Sequence, residues 1–263
     1  MHHSRILKSG RMLAAGLLLA GCFTMQSEAR TPPRLRQGMT LFEEGLNRWD
    51  QEQLKQALDL FDKAVEQKPD QYKAWFMKGL TEFHLMLLHR SRGADADKTL
   101  SADLRDAAEH SMDRVLSLNR DFGEACALKA VLLGMAIAEH PLTAIWRGPR
   151  LQKLQKRALE LDPENPRIWY LMGVSYHLAA GRFGSEVKAL EYLTRADELF
   201  ERDEPGRRAF HYPAWGHAHC LMFLGEIHRE QNDKKEAERF YRKALAVNPY
   251  LDGVRKLLKE VRE

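Results

Sequence analysis

An internal repeat constrains the fold of this chain more than any other feature of its sequence. Helix-forming runs recur in which small residues are spaced around a large apolar residue, and three of them end at Pro69, Pro163 and Pro249. Proline cannot donate the backbone hydrogen bond that continues a helix, so it marks the turn to the next unit. The small residues allow paired helices to approach closely, at Gly45, Gly79, Ala130, Gly173 and Gly225 on first helices and at Ala57, Ala108, Ala189 and Ala237 on second helices. The pattern predicts an all-α array of helix pairs.

The repeated runs resemble tetratricopeptide repeats. The runs that carry the resemblance are Ala57 to Pro69, Arg157 to Tyr176 and Glu236 to Pro249, and the first and last repeats match better than the stretched middle three. The resemblance implies a helical solenoid of about five helix pairs, with a short capping helix over residues 251–262 that covers the last apolar face. The five units are about 38–71, 72–122, 123–165, 166–213 and 214–250.

Proteins with this fold bind extended peptides or short motifs along the side chains of their first helices. The repeat register therefore predicts a concave binding groove that mixes flat apolar surface with polar tips. The alternative is that these side chains pack against the next unit. The candidate groove residues are Phe42, Trp49, Phe76, Phe83, His84, Tyr170 and His177.

Three insertions distinguish the central units from a regular array. They lie at about residues 89–102, 140–149 and 181–185, each between the first and second helix of its unit, and Pro141, Trp146 and Pro149 are expected to interrupt the helix there. Equivalent loops of a stacked solenoid emerge at the same edge. We therefore expect an insertion rim formed by His89, His140, Trp146 and Phe183.

The N-terminus has the pattern of a secretion signal. Three basic residues are followed by the apolar run Met12 to Ala20, which is too short to span a bilayer as a stable helix. The sequence Leu19-Ala20-Gly21-Cys22 that follows resembles the lipobox of bacterial lipoproteins. The resemblance implies that residues 1–21 are removed and that Cys22 carries a covalent lipid. The alternatives are an ordinary signal peptide or a weak membrane anchor.

The predicted mature chain is a tether over residues 22–37 and a repeat domain over residues 38–263. Phe23 follows the lipidated cysteine, and a residue other than Asp there usually directs a lipoprotein to the outer membrane, so we expect anchoring at its periplasmic face. The net charge of the whole chain is +4. Because residues 1–21 contribute three positive charges, the mature chain is near 4 − 3 = +1. Its basic and acidic residues are interspersed, so nucleic acid is not an expected partner.

The sequence contains no recognisable catalytic or metal motif. Its eleven histidines are not spaced as metal ligands, and no Cys-x-x-Cys-His or His-Glu-x-x-His motif is present. Cys126 and Cys220 are two repeats apart and are expected to be buried, unbridged apolar residues. We therefore predict a non-enzyme without a metal or a cofactor other than the lipid.

These features predict an envelope-anchored scaffold that binds a protein or peptide partner. The alternative is a solute-binding accessory of a transport system, in which the insertions enclose a ligand near Trp146 and Phe183. The stretch from Tyr176 through Phe183-Gly184-Ser185 to Ala189 is weakly similar to repeat lipoproteins associated with TRAP-type transporters, although a Phe-Gly-Gly is expected where Ser185 stands. Self-association through repeat faces is a third alternative.

Overall fold

The computed structural model describes residues 31–91, 93, 97–178, 185–202 and 215–263. Within these ranges the chain forms eleven α-helices and one short 3₁₀ turn at Pro141–Thr143, with no strand. The first ten helices form five pairs, and the last covers the fifth pair, so the predicted fold class is confirmed. The helices are α1 (Pro33–Arg48), α2 (Gln51–Gln67), α3 (Tyr72–Arg90), α4 (Lys98–Leu118), α5 (Gly123–Glu139), α6 (Ala144–Leu161), α7 (Pro166–Leu178), α8 (Glu186–Arg202), α9 (His217–Glu230), α10 (Lys234–Val247) and α11 (Asp252–Arg262).

Aspartates start three of the second helices. The Asp50 carboxylate accepts hydrogen bonds from the backbone N–H groups of Glu52 and Gln53, at 2.9 and 3.2 Å. Asp97 caps α4 and Asp233 caps α10 in the same way. Each carboxylate satisfies amide groups that have no partner inside the first helical turn and also favours the positive end of the helix dipole.

The predicted small residues lie where paired helices touch. A Cβ atom added to Gly173 of α7 would lie 2.5 Å from Leu193 Cγ and 3.1 Å from the Leu193 backbone nitrogen of α8. The matching alanines, such as Ala189, are fully buried. The first helix of the pair can therefore contact the backbone of the second directly, as the repeat pattern predicts.

Two tryptophans hold the turns between units. Trp75 Nε1 donates to the Pro69 carbonyl at 2.9 Å, and Trp169 Nε1 donates to the Pro163 carbonyl at 2.7 Å. Each proline follows the end of its second helix by two residues, as expected from its missing N–H. The indole thus satisfies a carbonyl of the turn, which lies outside both helices.

The repeat domain begins earlier than the sequence predicts. Residues 33–37 belong to the tether in the sequence-based prediction, but α1 already starts at Pro33. Proline at the first position of a helix has a preset φ and loses no hydrogen bond. Leu35 is fully buried, so this first turn packs with the array instead of extending from it.

The insertion of unit three is shorter than predicted, because α6 passes through Trp146 and Pro149. Pro149 removes only the hydrogen bond to the Ile145 carbonyl, one turn from the exposed start of the helix. Gly148 precedes it and has no Cβ to clash with the proline ring. In unit two, likewise, α3 extends to Arg90 and α4 begins at Lys98, so both ends of that predicted insertion are helical.

First helices lie inside the array and second helices lie outside it. Fifteen of the seventeen residues of α5 are buried, whereas Ala158 is the only buried residue of the eighteen in α6. Cys126 and Cys220 are on first helices, buried and unbridged, as predicted.

Candidate functional site

The inner face of the array is filled by its own side chains. Phe42 of α1 packs edge-on against His84 of α3, with ring centroids 5.6 Å apart. Tyr170 of α7 packs against Phe223 of α9 in the same interior. The curvature of the five pairs is therefore tight enough to bring side chains of the first helices into contact.

The two ends of the array meet. Asn248, after α10, donates from its side-chain amide to the Asn47 carbonyl of α1 at 2.9 Å, although 201 residues separate them. The ring of Trp49 lies over that of His219, with centroids 4.7 Å apart. We call this junction of the first and fifth units the seam. The hydrogen bond satisfies a carbonyl in the last turn of α1, which has no intrahelical donor.

Trp215 closes the interior next to the seam. Its ring lies 5.8 Å from that of His84 and 6.0 Å from that of Tyr170, which belong to units two and four. The Arg167 guanidinium lies 5.3 Å from the centre of the indole. Gly216 follows with φ +102°, and a Cβ there would lie 3.0 Å from the Phe200 ring, so the turn that starts α9 requires glycine.

A cavity of about 270 Å³ opens at the seam, and we call it the seam cleft. Three segments supply its walls: the second half of α1, the start of α9 and the end of α10. Its lining residues are Glu43, Leu46, Asn47, Trp215, Gly216, His217, Ala218, His219, Val247 and Asn248.

Trp49 stands at the seam in a backbone conformation that is unusual for a residue with a side chain. It ends α1 with φ 57° and ψ 37°, in the left-handed region, where glycine is the usual residue. Such conformations cost about 1 kcal/mol or more and concentrate at functional sites. The conformation places the indole against His219, so the chain accepts backbone strain to put an aromatic side chain at the seam.

The acidic groups near the cleft differ in their electrostatics. Burial and the neighbouring Glu44 carboxylate raise the pKa of Glu43. Burial also opposes ionisation of Asp197, but hydrogen bonds from His217 Nε2 at 2.9 Å and Lys243 Nζ at 3.0 Å lower its pKa. Asp197 is therefore a stable anion that holds one wall of the cleft, which is a structural role.

Three buried nitrogen atoms in this interior have no hydrogen-bond partner among the described residues: His84 Nε2, His219 Nε2 and Trp215 Nε1. His84 Nδ1 lies 2.8 Å from the Leu80 carbonyl, which only accepts, so Nδ1 carries the proton. Burial lowers the pKa of His84 to about 4. Burial, together with His84, lowers the pKa of His219 to about 3. Both rings are neutral at pH 7, and the bare Nε2 of His84 is an acceptor facing an apolar interior.

The buried histidines predict a pH-dependent stability difference. His219 takes no proton in the folded chain above about pH 3. In the unfolded chain it titrates near pH 6.5. Folding stability from this group is therefore present above pH 6.5 and is lost as the pH falls toward 3. We expect the free energy of unfolding of His219→Phe, relative to the original chain, to rise by about 2 kcal/mol between pH 7 and pH 5.

Urea unfolding at both pH values measures this difference, and phenylalanine keeps the ring contact with Trp49. The comparison with a variant is needed because burial raises the pKa of Glu226 to about 7, which has the opposite effect on stability. His110→Phe is a matched control, because His110 is exposed. A relative stability of His219→Phe that stays constant with pH would contradict the buried neutral state.

The sequence predicts an open groove lined by the candidate residues, and the structure corrects this expectation. The physical reason is the tight curvature, which packs the inner faces of different units together. Trp49 and His177 are half-buried, with Trp49 beside the seam cleft. At most 1% of the surface is exposed for Phe42, Phe76, Phe83, His84 and Tyr170.

The four residues of the predicted insertion rim lie in different surroundings. His89 is buried in the last turn of α3, where its Nε2 accepts a hydrogen bond from the Asp97 backbone N–H at 2.8 Å, so it ties the loop to the helix. His140 is exposed at the end of α5. Trp146 is 63% exposed, not enclosed in a ligand pocket as the transport alternative requires. Phe183 and Cys22, with the predicted signal, lie outside the described residues.

Sequence reasoning missed the residues that form the seam. Asn47 and Asn248 lie at the ends of helices, where asparagine is an ordinary turn residue. Trp215 lies between Pro213 and Gly216, two residues that favour turns. An aromatic residue in such a place was the feature of the sequence that could have pointed to the seam. Among the described residues, no three histidine, cysteine, aspartate or glutamate side chains are grouped so that they could hold a metal ion. The described helices include none with the length and hydropathy needed to cross a membrane.

Comparison with known proteins identifies the repeats. A model of the tetratricopeptide repeat matches residues 42–103, and another matches residues 218–251. No curated protein matches the chain. The first matched segment covers the second half of α1, all of α2 and α3 and the start of α4, and the second covers α9 from its second residue and all of α10. Asn47 and Asn248, which join the seam, therefore both lie in recognised repeats.

Solved structures resemble the chain to different degrees. A thermophilic TPR protein of Thermus thermophilus superposes with a TM-score of 0.61 at 17% identity, covering 87% of this chain and 96% of that one. MamA of Desulfovibrio magneticus reaches 0.39 at 15% identity, covering 84% and 98%. PilW, a type IV pilus biogenesis factor, reaches 0.33 at 15% identity, covering 87% and 100%. The two repeat matches and the superposition on the Thermus protein show that the chain contains tetratricopeptide repeats and folds as a TPR-type helical array.

Proposed function

We propose that this protein is a lipid-anchored, non-enzymatic scaffold of the bacterial cell envelope that binds a segment of a protein partner in the seam cleft. The repeat fold fits protein–protein interaction. Anchoring in the envelope is proposed from the N-terminal sequence that ends at Cys22. A tether of this kind raises the local concentration of an envelope partner, so modest affinity is sufficient.

The observation that carries the proposal is the strained Trp49 beside a cavity at the junction of the two array ends. The cleft, at about 270 Å³, is slightly smaller than the pockets of about 300–1,000 Å³ that hold small molecules. It therefore suits one or two side chains of a partner segment. Val247 and Tyr250 next to it are 48% and 57% exposed, which extends the apolar surface beyond the cavity.

The polar groups of the cleft suit a peptide backbone. Asn47 carries an amide that can both donate and accept, and Glu43 supplies a carboxylate at the wall. The Asn248 amide holds the seam itself, because it donates to the Asn47 carbonyl and accepts from the Tyr250 backbone N–H. Tryptophan and tyrosine are enriched among the residues that contribute most of the binding energy at protein interfaces. Since Asp197 accepts hydrogen bonds from both His217 and Lys243, we assign Asp197 and His217 no catalytic role.

Affinity capture from envelope membranes tests the partner surface. We expect the Trp49→Ala and Tyr250→Ala variants to lose a partner that the original chain retains, because each removes an aromatic contact at the seam. Leu118→Ala is the matched control, since it removes an exposed apolar side chain at the far end of α4. If all four chains capture the same proteins while urea unfolding shows them folded, the seam cleft is not the partner site.

The anchor has its own test. We expect mass spectrometry of the mature protein to find acyl groups on Cys22 and the chain to begin there. Cys22→Ser is expected to move the protein from the membrane fraction to the soluble fraction of a cell lysate. A mature chain that starts elsewhere, without a lipid, would contradict envelope anchoring and leave the partner test intact.

A further inference from the structure

Three of the four most exposed large apolar side chains in the described part of the chain lie at the start of α6. Leu142, Ile145 and Trp146 are 81%, 78% and 63% exposed. They stand at positions i, i+3 and i+4, so they project from one side of the 3₁₀ turn and the first turn of α6. We call these three residues the apolar knob.

The knob belongs to one edge of the array, where first helices end and second helices begin. A hydrogen bond of 2.8 Å from Arg90, at the end of α3, to Glu139, at the end of α5, shows that these ends lie side by side. Single exposed apolar residues are ordinary on a protein surface, but a clustered set marks a contact site. Six of the nine exposed large apolar residues of the described chain lie at this edge: Leu100, Leu142, Ile145, Trp146, Leu178 and Val187.

Basic residues follow the knob along α6, which contains five lysines and arginines and one glutamate. Arg147 and Arg150 reach across to acidic residues of α4, at 3.2 and 3.1 Å. The Arg147 pair is half-buried, whereas the Arg150 pair is exposed. Exposed ion pairs contribute little, so Arg150 can exchange its partner for a phosphate. Lys153 has no acidic partner among the described residues. The charge of α6 is therefore complementary to an anionic surface.

We propose that this edge rests on an anionic phospholipid surface. Tryptophan, aliphatic side chains and adjacent Lys or Arg residues are the combination that binds the membrane interface, with the indole at the headgroups and the aliphatic groups among the upper acyl chains. Basic residues near the knob then contact lipid phosphates. This apolar surface lies at the opposite end of the second helices from Leu118, so contact with lipid orients the whole array.

The geometry agrees with an anchor in the same membrane, a point that rests on the proposed lipid at Cys22. The first helix begins at the opposite edge from the knob and is about 24 Å long. Residues 22–32 reach at most about 36 Å when extended. The predicted tether is therefore long enough for the knob edge to face the membrane that holds the anchor.

Fluorescence quenching tests the proposal in the full chain. An environment-sensitive label is attached to Ile145→Cys, and in a second variant to Leu118→Cys, since Cys126 and Cys220 are buried and the signal of the unsubstituted chain corrects for labelling at Cys22. The protein is bound to vesicles of phosphatidylethanolamine and phosphatidylglycerol containing a lipid with a nitroxide in the upper acyl chain. We expect the label at 145 to be quenched severalfold more than the label at 118.

Further measurements test whether attraction to anionic lipid causes the quenching. Quenching at 145 is expected to fall in 1 M NaCl and in phosphatidylcholine vesicles, because both remove the attraction to anionic lipid. Lys153→Glu is expected to weaken it in the same direction. Equal quenching at 145 and 118 overturns the proposal, and so does a label at 145 that stays unquenched in vesicles but crosslinks to a protein in native membranes. These outcomes do not depend on which partner occupies the seam cleft or on acylation of Cys22.

Discussion

Replacing Trp215 with alanine is expected to destabilise the protein by about 3–5 kcal/mol, the cost of removing a large buried aromatic side chain. Trp215 contacts His84 of unit two and Tyr170 of unit four, so its loss leaves a cavity shared by distant units. We also expect the seam to loosen, because the inner face loses the side chain that fills it. Urea unfolding measures the first effect, and faster amide hydrogen exchange in α1 measures the second.

Trp146→Ala is the matched control, because the same side chain is removed at a position that is 63% exposed. There the change in stability is expected to lie within about 0.5 kcal/mol. Equal losses for the two variants, or an unchanged exchange rate in α1 of Trp215→Ala, would show that the inner face does not hold the array ends together.

Removing one member of the buried pair between Glu124 and Arg167 is expected to cost about 3–5 kcal/mol. Glu124 and Arg167 are 5% and 7% exposed and join α5 to α7, with 3.5 Å between Glu124 Oε1 and Arg167 Nη1. Asn165 donates to the same carboxylate at 2.9 Å. Glu124→Met therefore deprives a buried cation and a buried amide of one acceptor.

A double-mutant cycle separates this pair from ordinary packing. We expect Glu124→Met with Arg167→Met to cost less than the sum of the single changes, since the double variant removes both charges. The exposed pair of Arg195 and Glu198, 3.1 Å apart, supplies the control, and Glu198→Met there is expected to cost less than about 0.5 kcal/mol. Additive costs for the buried pair, measured by urea unfolding, would refute coupling between the two charges.

The architecture followed from the sequence because its determinants are local. Gly173, Ala189 and the turn prolines are close in sequence to the residues they contact, so their spacing predicts helix pairs. The five units and the capping helix are confirmed for the same reason. The prediction at Pro149 was wrong because a proline was expected to end the helix. Pro149 lies near the exposed start of α6, where the loss of one backbone hydrogen bond costs little stability.

The sequence does not predict whether the inner face is packed or open, because this depends on small rotations between units that add up over the array. Asn47 and Asn248 are 201 residues apart, and no local pattern pairs them. Whether Phe76 and Tyr170 line a groove or a core is decided by that curvature. The periodicity that places these side chains on one face is therefore compatible with an open groove and with a packed core.

The hydrogen bond between Asn248 and Asn47 means that the first and last repeats are not free ends. In an open array, the outer units have a single neighbour and fray first, so stability grows as units are added. Here the first and fifth units also contact each other, through this hydrogen bond and the rings of Trp49 and His219, so the two end units are held together at the seam. Unfolding should then occur in one cooperative step. Duplication of a repeat, a common route by which such arrays lengthen, would separate the joined ends, so this closed architecture fixes its own number of repeats.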